Sequence, residues 1–372
     1  MKKYAAKNCL IAVFLLMLCA PGLIWAFWGD SLSMDSQENR TLAKWPVFSE
    51  TSLKKLPAAY EKYYSDHLPF REQLISLYAR LNRTLFNTPI VDHVIFGQEG
   101  WLYYASREDG DPIACYRGEN LFTNEQLRQI TVNLRRTRNQ LRQAGIEFVL
   151  FIAPNKERVY SEYLPADYDA PAEQSAVNQL VNFLRSHTDI RVVYPYEELM
   201  QSKADFPDIP LYYMGDTHWN GVGAYIGARA LLNELGIATP ELTREAVGEA
   251  TGLFVGDLRR LCHLNDALDE YRSVNDPQRP MCELTSSEDT LLNKGYSENG
   301  TGRLFIKNDS FVINMLPYLA PWFSETLSQY NQIYQMDAVD EFQPNVFVQV
   351  CVERYLHAQL LDGQLYALPG SR

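Results

Sequence analysis

The chain has little positive charge to offer an anionic partner. Its 34 Lys and Arg residues are outnumbered by 46 Asp and Glu residues, which gives a formal net charge of −12 at pH 7. Binding to nucleic acid depends on basic side chains that neutralise phosphates. The sequence contains no basic stripe of this kind, and this argues against nucleic acid as a partner.

Cysteine is also scarce, and the six Cys residues lack metal-ligand spacing. No Cys-x-x-Cys pair and no His/Cys cluster is present, so the sequence predicts neither a metal nor a cofactor. In an oxidising compartment, Cys262 and Cys282 are the pair that we expect to form a disulfide, since they close a short polar loop. The alternative is that the Cys residues beyond the N-terminal segment are simply buried thiols.

Internal repeats and low-complexity blocks are absent as well. Hydrophobic residues make up 46% and charged residues 22% of the chain, which is a globular composition. The 372 residues suffice for one large domain or two ordinary ones. Bulk disorder is thereby excluded.

One long apolar run is present, at the N-terminus. Three lysines within the first seven residues precede the run Cys9–Trp28, and no charge follows until Asp30. Twenty helical residues rise about 30 Å, roughly the thickness of a bilayer core. Lysines on the N-terminal flank favour a cytoplasmic N-terminus. Residues 1–29 are therefore expected to be a single-pass anchor in a bacterial inner membrane, with the remainder in the periplasm; a signal peptide is the alternative.

The remainder divides into two regions. Residues 30–93 begin with a polar, Pro-containing lead-in and continue with leucines at three-to-four spacing, which predicts a helix. Residues 94–372 form the main domain, in which strand and helix patterns alternate. The leucines of the first region are Leu74, Leu77, Leu81 and Leu85.

The alternation in residues 94–372 predicts an α/β fold, a three-layer α/β/α sandwich with a mostly parallel sheet. The all-apolar run Phe148–Ala153 is typical of a strand buried on both faces. Thr123 and Gln126 have capping-box spacing at the start of a helix that ends at Gly145. The other expected elements are a Gly-turn hairpin over 94–104, a helix with Val177 to Leu184, the strand Ile190–Tyr194, a helix from near Asn220, and the strands Arg303–Lys307 and Asn345–Val352.

Three strand-to-helix junctions hold reactive side chains, and sites in such sheets gather at the carboxyl ends of strands. The junctions are Gly215–Trp219, Lys307–Phe311 and Ala153–Glu157. Nucleophilic acyl transfer needs a hydroxyl, a base within hydrogen-bond reach and a carboxylate that orients the base. Asp216, His218 and Ser310 supply these three groups. The alternative is a structural histidine and a helix-capping serine.

The sequence resembles the alginate O-acetyltransferase family (AlgJ/AlgX-like, short membrane-anchored type), whose domain is a permuted relative of the SGNH hydrolases. The most specific piece is Asp216-Thr217-His218-Trp219, followed by Gly221 and Gly223-Ala224, and the Asp and His precede the Ser as in the family. The likeness covers roughly residues 38 to 356. It is also carried by Glu38-Asn39-Arg40 with Leu42-Ala43 and Pro46, by Asp66 to Arg71, by Gly97 to Tyr104, by Pro154-Asn155-Lys156 with Tyr160 and Leu164-Pro165, and by Asp309-Ser310-Phe311.

The resemblance implies a periplasmic O-acetyltransferase that works through an acyl-serine. Asp216 would orient His218, His218 would act as base, and Ser310 would attack an acetyl donor before passing the group to an exported polysaccharide. Asn155 and Lys156 are candidate oxyanion donors, with a buried salt bridge as the alternative for Lys156. The implied partners are the polysaccharide acceptor and a multi-spanning membrane acyl-transfer protein. An O-acetylesterase and a non-catalytic, glycan-binding scaffold are the rival functions.

Overall fold

The computed structural model describes residues 2–28, 42–47, 53–265, 267–287, 292–331 and 336–361, which form two compact units. The first unit comprises Met1–Ile90 with Arg260–Asp266, and the second comprises Val91–Arg259 with Ala267–Arg372. The helices are α1 (Lys2–Trp28), α2 (Leu56–Asp66), α3 (Arg71–Phe86), α4 (Pro112–Arg117), α5 (Asn124–Gln143), α6 (Lys156–Val159), α7 (Ala176–His187), α8 (Tyr196–Asp205), α9 (Gly221–Glu234), α10 (Asp257–Leu261), α11 (Leu316–Leu319), α12 (Met336–Phe342) and α13 (Leu356–Leu361). The strands are β1 (Val94–Phe96), β2 (Leu102–Tyr104), β3 (Glu147–Ala153), β4 (Arg191–Val193), β5 (Gly252–Phe254), β6 (Asp269–Tyr271), β7 (Glu283–Ser287), β8 (Leu292–Tyr296), β9 (Arg303–Asn308), β10 (Glu325–Tyr330) and β11 (Val346–Val352).

The first unit contains α1, α2 and α3. The four leucines at helical spacing lie on α3, so that predicted helix is confirmed. Trp45 packs edge-on against Tyr60 and Tyr63 of α2, with ring centroids 5.3 and 5.0 Å apart. The predicted entry motif Glu38-Asn39-Arg40 lies outside the described residues.

Membrane crossing was expected of the N-terminal segment. Within the described ranges, no helix combines the length and the apolar character that a bilayer crossing requires. The N-terminal transmembrane helix therefore stays a prediction.

The second unit is built on a seven-stranded sheet with the order β4-β3-β11-β9-β10-β8-β7. The five strands from β4 to β10 are parallel, and β8 and β7 extend the sheet as an antiparallel hairpin. In the centre, Val348 of β11 lies beside Val149 of β3 and Ile306 of β9. The α/β fold with a mostly parallel sheet is thus confirmed.

Two hydrophobic layers cover the two faces of this sheet. Because side chains alternate along a strand, Val149 and Phe151 of β3 enter one layer, whereas Phe148 and Leu150 enter the other. The first layer includes apolar residues of α8, α9 and α11, and the second includes those of α5, α7, α12 and α13. This is the expected three-layer sandwich.

The hairpin β1–β2 and the capping box were predicted correctly. Val94 pairs with Tyr104 and Phe96 with Leu102. Thr123 accepts from the backbone N–H of Gln126, whose side chain accepts from the N–H of Thr123, at the start of α5. Both patterns are local in sequence, so a single segment carries all the information needed.

Three strands of the sheet were not predicted, namely β7, β8 and β10. Their sequences are polar (ELTSS, LNKGY and ETLSQY), and none is an apolar run. They form because they continue an existing sheet whose edge offers unpaired backbone groups.

The expected disulfide between Cys262 and Cys282 is not formed. Cys282 is a free, half-buried thiol whose Sγ donates to the carbonyl oxygen of Glu283 at 3.6 Å. Proximity in sequence across a polar loop was therefore not sufficient, since a disulfide also requires the two Cβ atoms to approach and point toward each other.

The capping box gives a stability prediction. Thr123→Ala is expected to lower the free energy of unfolding by about 1 kcal/mol, because an N–H of the first turn of α5 loses its acceptor. Urea denaturation followed by circular dichroism measures the change. Thr123→Ser keeps the hydroxyl and is the control; an equal loss in both variants would contradict the assignment to the cap.

Candidate active site

Three neighbouring parallel strands end at the same edge of the sheet, and each is followed by polar residues. Asn155 and Lys156 follow β3, Asp309 and Ser310 follow β9, and Glu353 and Arg354 follow β11. A fourth segment, the loop before α9, carries the residues Asp216, Thr217 and His218. The site is therefore assembled from segments far apart in sequence.

Asp216, His218 and Ser310 form one hydrogen-bonded chain. The Nε2 atom of His218 lies 2.7 Å from the Oγ of Ser310, and its Nδ1 lies 2.7 Å from Oδ1 of Asp216. Because a carboxylate can only accept, we assign the ring proton to Nδ1, and Nε2 then accepts from the serine hydroxyl. The structure thus brings together the three residues singled out in the sequence, in the order that activation of a hydroxyl requires.

The Asp216 carboxylate is held from several directions. Its Oδ1 also accepts from the backbone N–H of His218 at 3.0 Å, and its Oδ2 accepts from the N–H of Asp257 at 2.8 Å. Burial raises the pKa of Asp216, but the hydrogen bond and charge of His218 with these backbone donors outweigh it and hold the pKa at about 2. Asp216 is therefore ionised at neutral pH.

The imidazole of His218 responds to the same interaction. Burial disfavours its protonation, but the hydrogen bond and charge of Asp216, assisted by Asp257, raise its pKa above the ordinary value. A raised pKa makes the ring a stronger base toward the serine hydroxyl.

Asp309 fixes the turn that presents Ser310. Its side chain accepts from the N–H of Phe311 at 3.1 Å and from the N–H of Val352 at 2.6 Å, so it connects the end of β9 to the end of β11. Burial raises its pKa. Because both carboxylate oxygens of Asp309 accept from backbone N–H groups, this side chain positions Ser310.

Trp219 locks the two loops of the site together. Its indole N–H donates to the carbonyl oxygen of Phe311 at 2.9 Å, and its own carbonyl oxygen accepts from the Asn314 amide at 2.8 Å. A Cβ on Gly223 would lie 2.2 Å from the carbonyl oxygen of Leu211, so only glycine allows α9 to pack this closely. The Trp and Gly of the motif therefore have positional roles.

Lys156 is fully buried and contacts three backbone carbonyl oxygens. Its Nζ donates to Leu102 at 2.7 Å, to Met214 at 2.9 Å and to Asp216 at 2.9 Å. Burial lowers its pKa to about 8. All three N–H groups are thus occupied in tying the Asp216 loop to β2, which leaves none for an acyl oxygen.

Asn155 has a free donor. Its backbone N–H donates to the Glu353 carboxylate at 3.1 Å, and its Oδ1 accepts from the N–H of Arg354 at 3.3 Å. Its buried Nδ2 has no hydrogen-bond partner among the residues that the structure describes. A buried, unpaired donor is costly unless a ligand uses it.

Asp257 is a site residue that the sequence analysis missed. Its carboxylate accepts from the N–H and the hydroxyl of Thr217, at 2.8 and 2.6 Å, and lies 3.8 Å from Nδ1 of His218. Burial and the nearby charge of Asp216 raise its pKa. No spacing pattern links it to the Asp216 loop, since the contact is tertiary. Glu353 and Arg354, by contrast, directly follow the predicted strand Asn345–Val352. Their position at a strand end could have indicated them as site residues.

The side chains of Asp216, His218 and Asp257 also place three ligand-type atoms within 4.8 Å of one another. The same carboxylates and Nδ1 serve as partners in the hydrogen bonds just described. These atoms therefore already take part in hydrogen bonds within the site, which is the arrangement expected of groups that accept protons.

A three-layer α/β/α domain with these residues at its strand ends has the architecture of the SGNH-hydrolase-like class. A family model described as the SGNH hydrolase-like domain of the acetyltransferase AlgX matches residues 94–299. The match covers more than half of the chain, and the chain belongs to this family.

Individual relatives agree with this membership. The probable alginate O-acetylase AlgJ of Pseudomonas putida is 31% identical over 179 residues, 48% of this chain and 42% of the relative. The Pseudomonas fluorescens protein of the same name is 27% identical over 281 residues, 72% of this chain and 63% of the relative. The chain thus spans roughly half the length of these curated relatives.

A solved structure supports the fold. The DHHW family protein from Eubacterium siraeum superposes with a TM-score of 0.51 at 15% identity, over 74% of this chain and 98% of the other. At this identity the likeness concerns the fold alone.

The pKa of His218 can be tested without any assay of activity. We expect NMR titration of the wild-type chain to give a pKa above the ordinary histidine value. Asp216→Asn is expected to lower that pKa, because the variant removes the negative charge at Nδ1. His357, whose pKa is lowered by burial, is the internal control and should not change. An unaltered His218 pKa in the variant would refute the assigned contact.

Proposed function

We propose that this chain is an O-acetyltransferase that moves an acetyl group through an acyl-serine at Ser310 to hydroxyl groups of an exported, alginate-like polysaccharide. The observation that carries the proposal is the hydrogen-bonded chain from Asp216 through His218 to Ser310. Membership of the AlgX-type family supports the reaction class. The names of the Pseudomonas relatives, probable alginate O-acetylases, support the acceptor class.

In the first half-reaction, Ser310 attacks the carbonyl carbon of an acetyl donor. A bond forms between Oγ and that carbon, the hydroxyl proton moves to Nε2 of His218, and the carbonyl electron pair moves to oxygen. The tetrahedral intermediate then collapses: the bond to the leaving oxygen breaks, and His218 gives that oxygen its proton. General acid–base help of this kind contributes roughly 10²–10⁴-fold.

In the second half-reaction, a sugar hydroxyl replaces the departed group. His218 takes the hydroxyl proton while the sugar oxygen bonds to the acetyl carbon. Collapse breaks the bond to Oγ, and the proton returns to Ser310. Asp216 stays ionised throughout and stabilises the imidazolium that forms in each half.

Charge on the acyl oxygen needs hydrogen-bond donors. The backbone N–H of Ser310 is one candidate, and Nδ2 of Asn155 is the second. Support for Asn155 comes from its burial and from the lack of a partner for Nδ2 among the described residues. Lys156 has a positioning role in this proposal, because its Nζ already donates to three carbonyl oxygens.

The proposal also includes a location and partners. Residues 1–29 would anchor the chain in the inner membrane, with residues 94–372 acting in the periplasm. The support is the lysine-flanked apolar run in the sequence. An acetyl group that originates in the cytoplasm requires a multi-spanning membrane protein as donor, and this inference rests on the family resemblance.

The first test is acetylation of the serine. The full-length chain is incubated with a chromogenic acetyl ester and digested for mass spectrometry. We expect one acetyl group on the peptide that contains Ser310 and none in Ser310→Ala, because the variant lacks the nucleophile. Ser324→Ala, which changes a serine after α11, is the matched control and should be acetylated like the wild type.

Addition of an oligosaccharide then separates the two enzymatic functions. Acetylated sugar as the product supports the transferase, whereas free acetate with and without acceptor would favour an esterase of the same fold. If Ser310 never becomes acetylated, the acyl-serine mechanism is wrong and a non-catalytic scaffold becomes the better interpretation.

The role of Asn155 gives a separate prediction. Asn155→Ala is expected to lower the rate of Ser310 acetylation by roughly 10²–10³-fold, the usual effect of losing one oxyanion donor. The measurement is the burst of chromogenic alcohol under single-turnover conditions. Asn82→Ala, a change at a half-buried residue of α3, should leave the burst unaltered. A full burst in Asn155→Ala would remove Asn155 from the mechanism.

A further inference from the structure

Arg354 lies two residues beyond the end of β11. This strand is between β3, which leads to Asn155, and β9, which leads to Ser310. Val352 of β11 pairs with Ala153 of β3, so Arg354 comes opposite Asn155, and its backbone N–H donates to Oδ1 of Asn155 at 3.3 Å. Arg354 therefore follows the strand that lies between the strands leading to Asn155 and Ser310.

Three aromatic rings surround the guanidinium of Arg354. Its Cζ lies 5.6 Å from the ring centroid of Phe311, the residue after the serine, and 5.8 and 4.9 Å from those of Tyr104 and Tyr355. The ring of Phe311 is also 4.9 Å from that of His218. One aromatic side chain therefore contacts both the proposed base and this cation.

Asp109 holds two of those rings in place. The hydroxyl of Tyr104 donates to its Oδ2 at 2.8 Å, and the hydroxyl of Tyr355 donates to its Oδ1 at 2.7 Å. On the other side, the backbone N–H of Arg354 donates to Oδ1 of Asn155. These contacts position the backbone of Arg354 and two of the rings beside its guanidinium, and electrostatic stabilisation depends on donors that are positioned in advance.

The guanidinium still has unused donor capacity. Its Nε atom is buried without a hydrogen-bond partner among the described residues, while the charges of Glu157 and Asp309 and the side chain of Tyr355 act on the guanidinium. An arginine is always charged in proteins and carries five N–H donors. Leaving such a donor buried and unpaired is unfavourable, which points to a ligand atom with negative charge.

Two other cations near the site differ from Arg354 in their contacts. Lys156 donates its three N–H groups to backbone carbonyl oxygens. Arg158 on α6 also has N–H groups without a partner among the described residues, but it donates to the carbonyl oxygen of Ala172 and its guanidinium lies over the ring of Tyr196. Arg354 is the cation whose ring contacts include the residue next to Ser310.

We propose that Arg354 is a further catalytic residue, whose guanidinium donates to the acyl oxygen as negative charge develops on it during attack by Ser310. The inference rests on the proposed acyl-serine function. The interaction strengthens as the carbonyl electron pair moves to oxygen, because a charge-assisted hydrogen bond to an oxyanion is stronger than one to a neutral carbonyl. Arg354 transfers no proton and stays charged throughout.

The test is chemical rescue of Arg354→Ala. With a chromogenic acetyl ester and the full-length chain, kcat is expected to fall roughly 10²–10³-fold, with KM nearly unchanged. Guanidinium chloride, well below denaturing concentrations, should restore part of kcat, whereas urea and ammonium chloride should not. A purely structural role would not produce rescue by this one cation. Arg128→Ala, an exposed change on α5, is the control and should match the wild type in both conditions.

The outcomes separate this inference from the proposed function. If wild-type Ser310 is not acetylated, the proposed function fails. If it is acetylated and Arg354→Ala keeps the wild-type kcat, raises only KM, or loses activity that guanidinium does not restore, the role of Arg354 is wrong. If the alanine variant does not fold, Arg354→Lys is tested instead. This variant keeps the positive charge but loses the planar set of N–H donors. A wild-type kcat in Arg354→Lys would also overturn the inference.

Discussion

The hydrogen bond between the Asp216 carboxylate and Nδ1 of His218 is the interaction on which the site depends. A buried carboxylate is unfavourable unless donors satisfy it, and here the donors are the ring, the backbone N–H of His218 and that of Asp257. The same bond fixes the tautomer of the imidazole and leaves Nε2 for the serine. Without it, neither the charge of the aspartate nor the direction of the ring would be determined.

Two buried side chains from the surrounding fold, Lys156 and Trp219, stabilise the loop that contains this hydrogen bond. Lys156 reaches from the end of β3 to the carbonyl oxygen of Asp216, and Trp219 connects the same loop to the residue after Ser310. Both side chains are buried and have hydrogen-bond partners, so movement of either loop would break contacts that water cannot replace. Trp219 therefore positions the loop, and the ring of His218 performs the proposed proton transfer.

The two cations at the site, Lys156 and Arg354, have different hydrogen-bond partners. The N–H groups of Lys156 all donate within the protein, whereas the guanidinium of Arg354 lies beside aromatic rings and has an N–H without a partner among the described residues. The difference follows from shape: an ammonium with three acceptors is satisfied, while a planar guanidinium in an aromatic enclosure is not. Asn155 connects the segments that carry these two cations, since it lies two residues after the end of β3, next to Lys156, and accepts from the backbone N–H of Arg354.

The sequence by itself determined the buried strands β3 and β11, the cap of α5, and the pairing of Asp216 with His218, because each depends on residues close together in the chain. Its prediction of a disulfide between Cys262 and Cys282 was wrong, and it did not determine the polar strands β7, β8 and β10 or the role of Asp257. The contact between His218 and Ser310, 92 residues apart, was inferred from strand-end position and family resemblance. Only the tertiary structure decided its 2.7 Å geometry, since hydrogen bonds depend on fractions of an ångström that packing of the whole sheet sets.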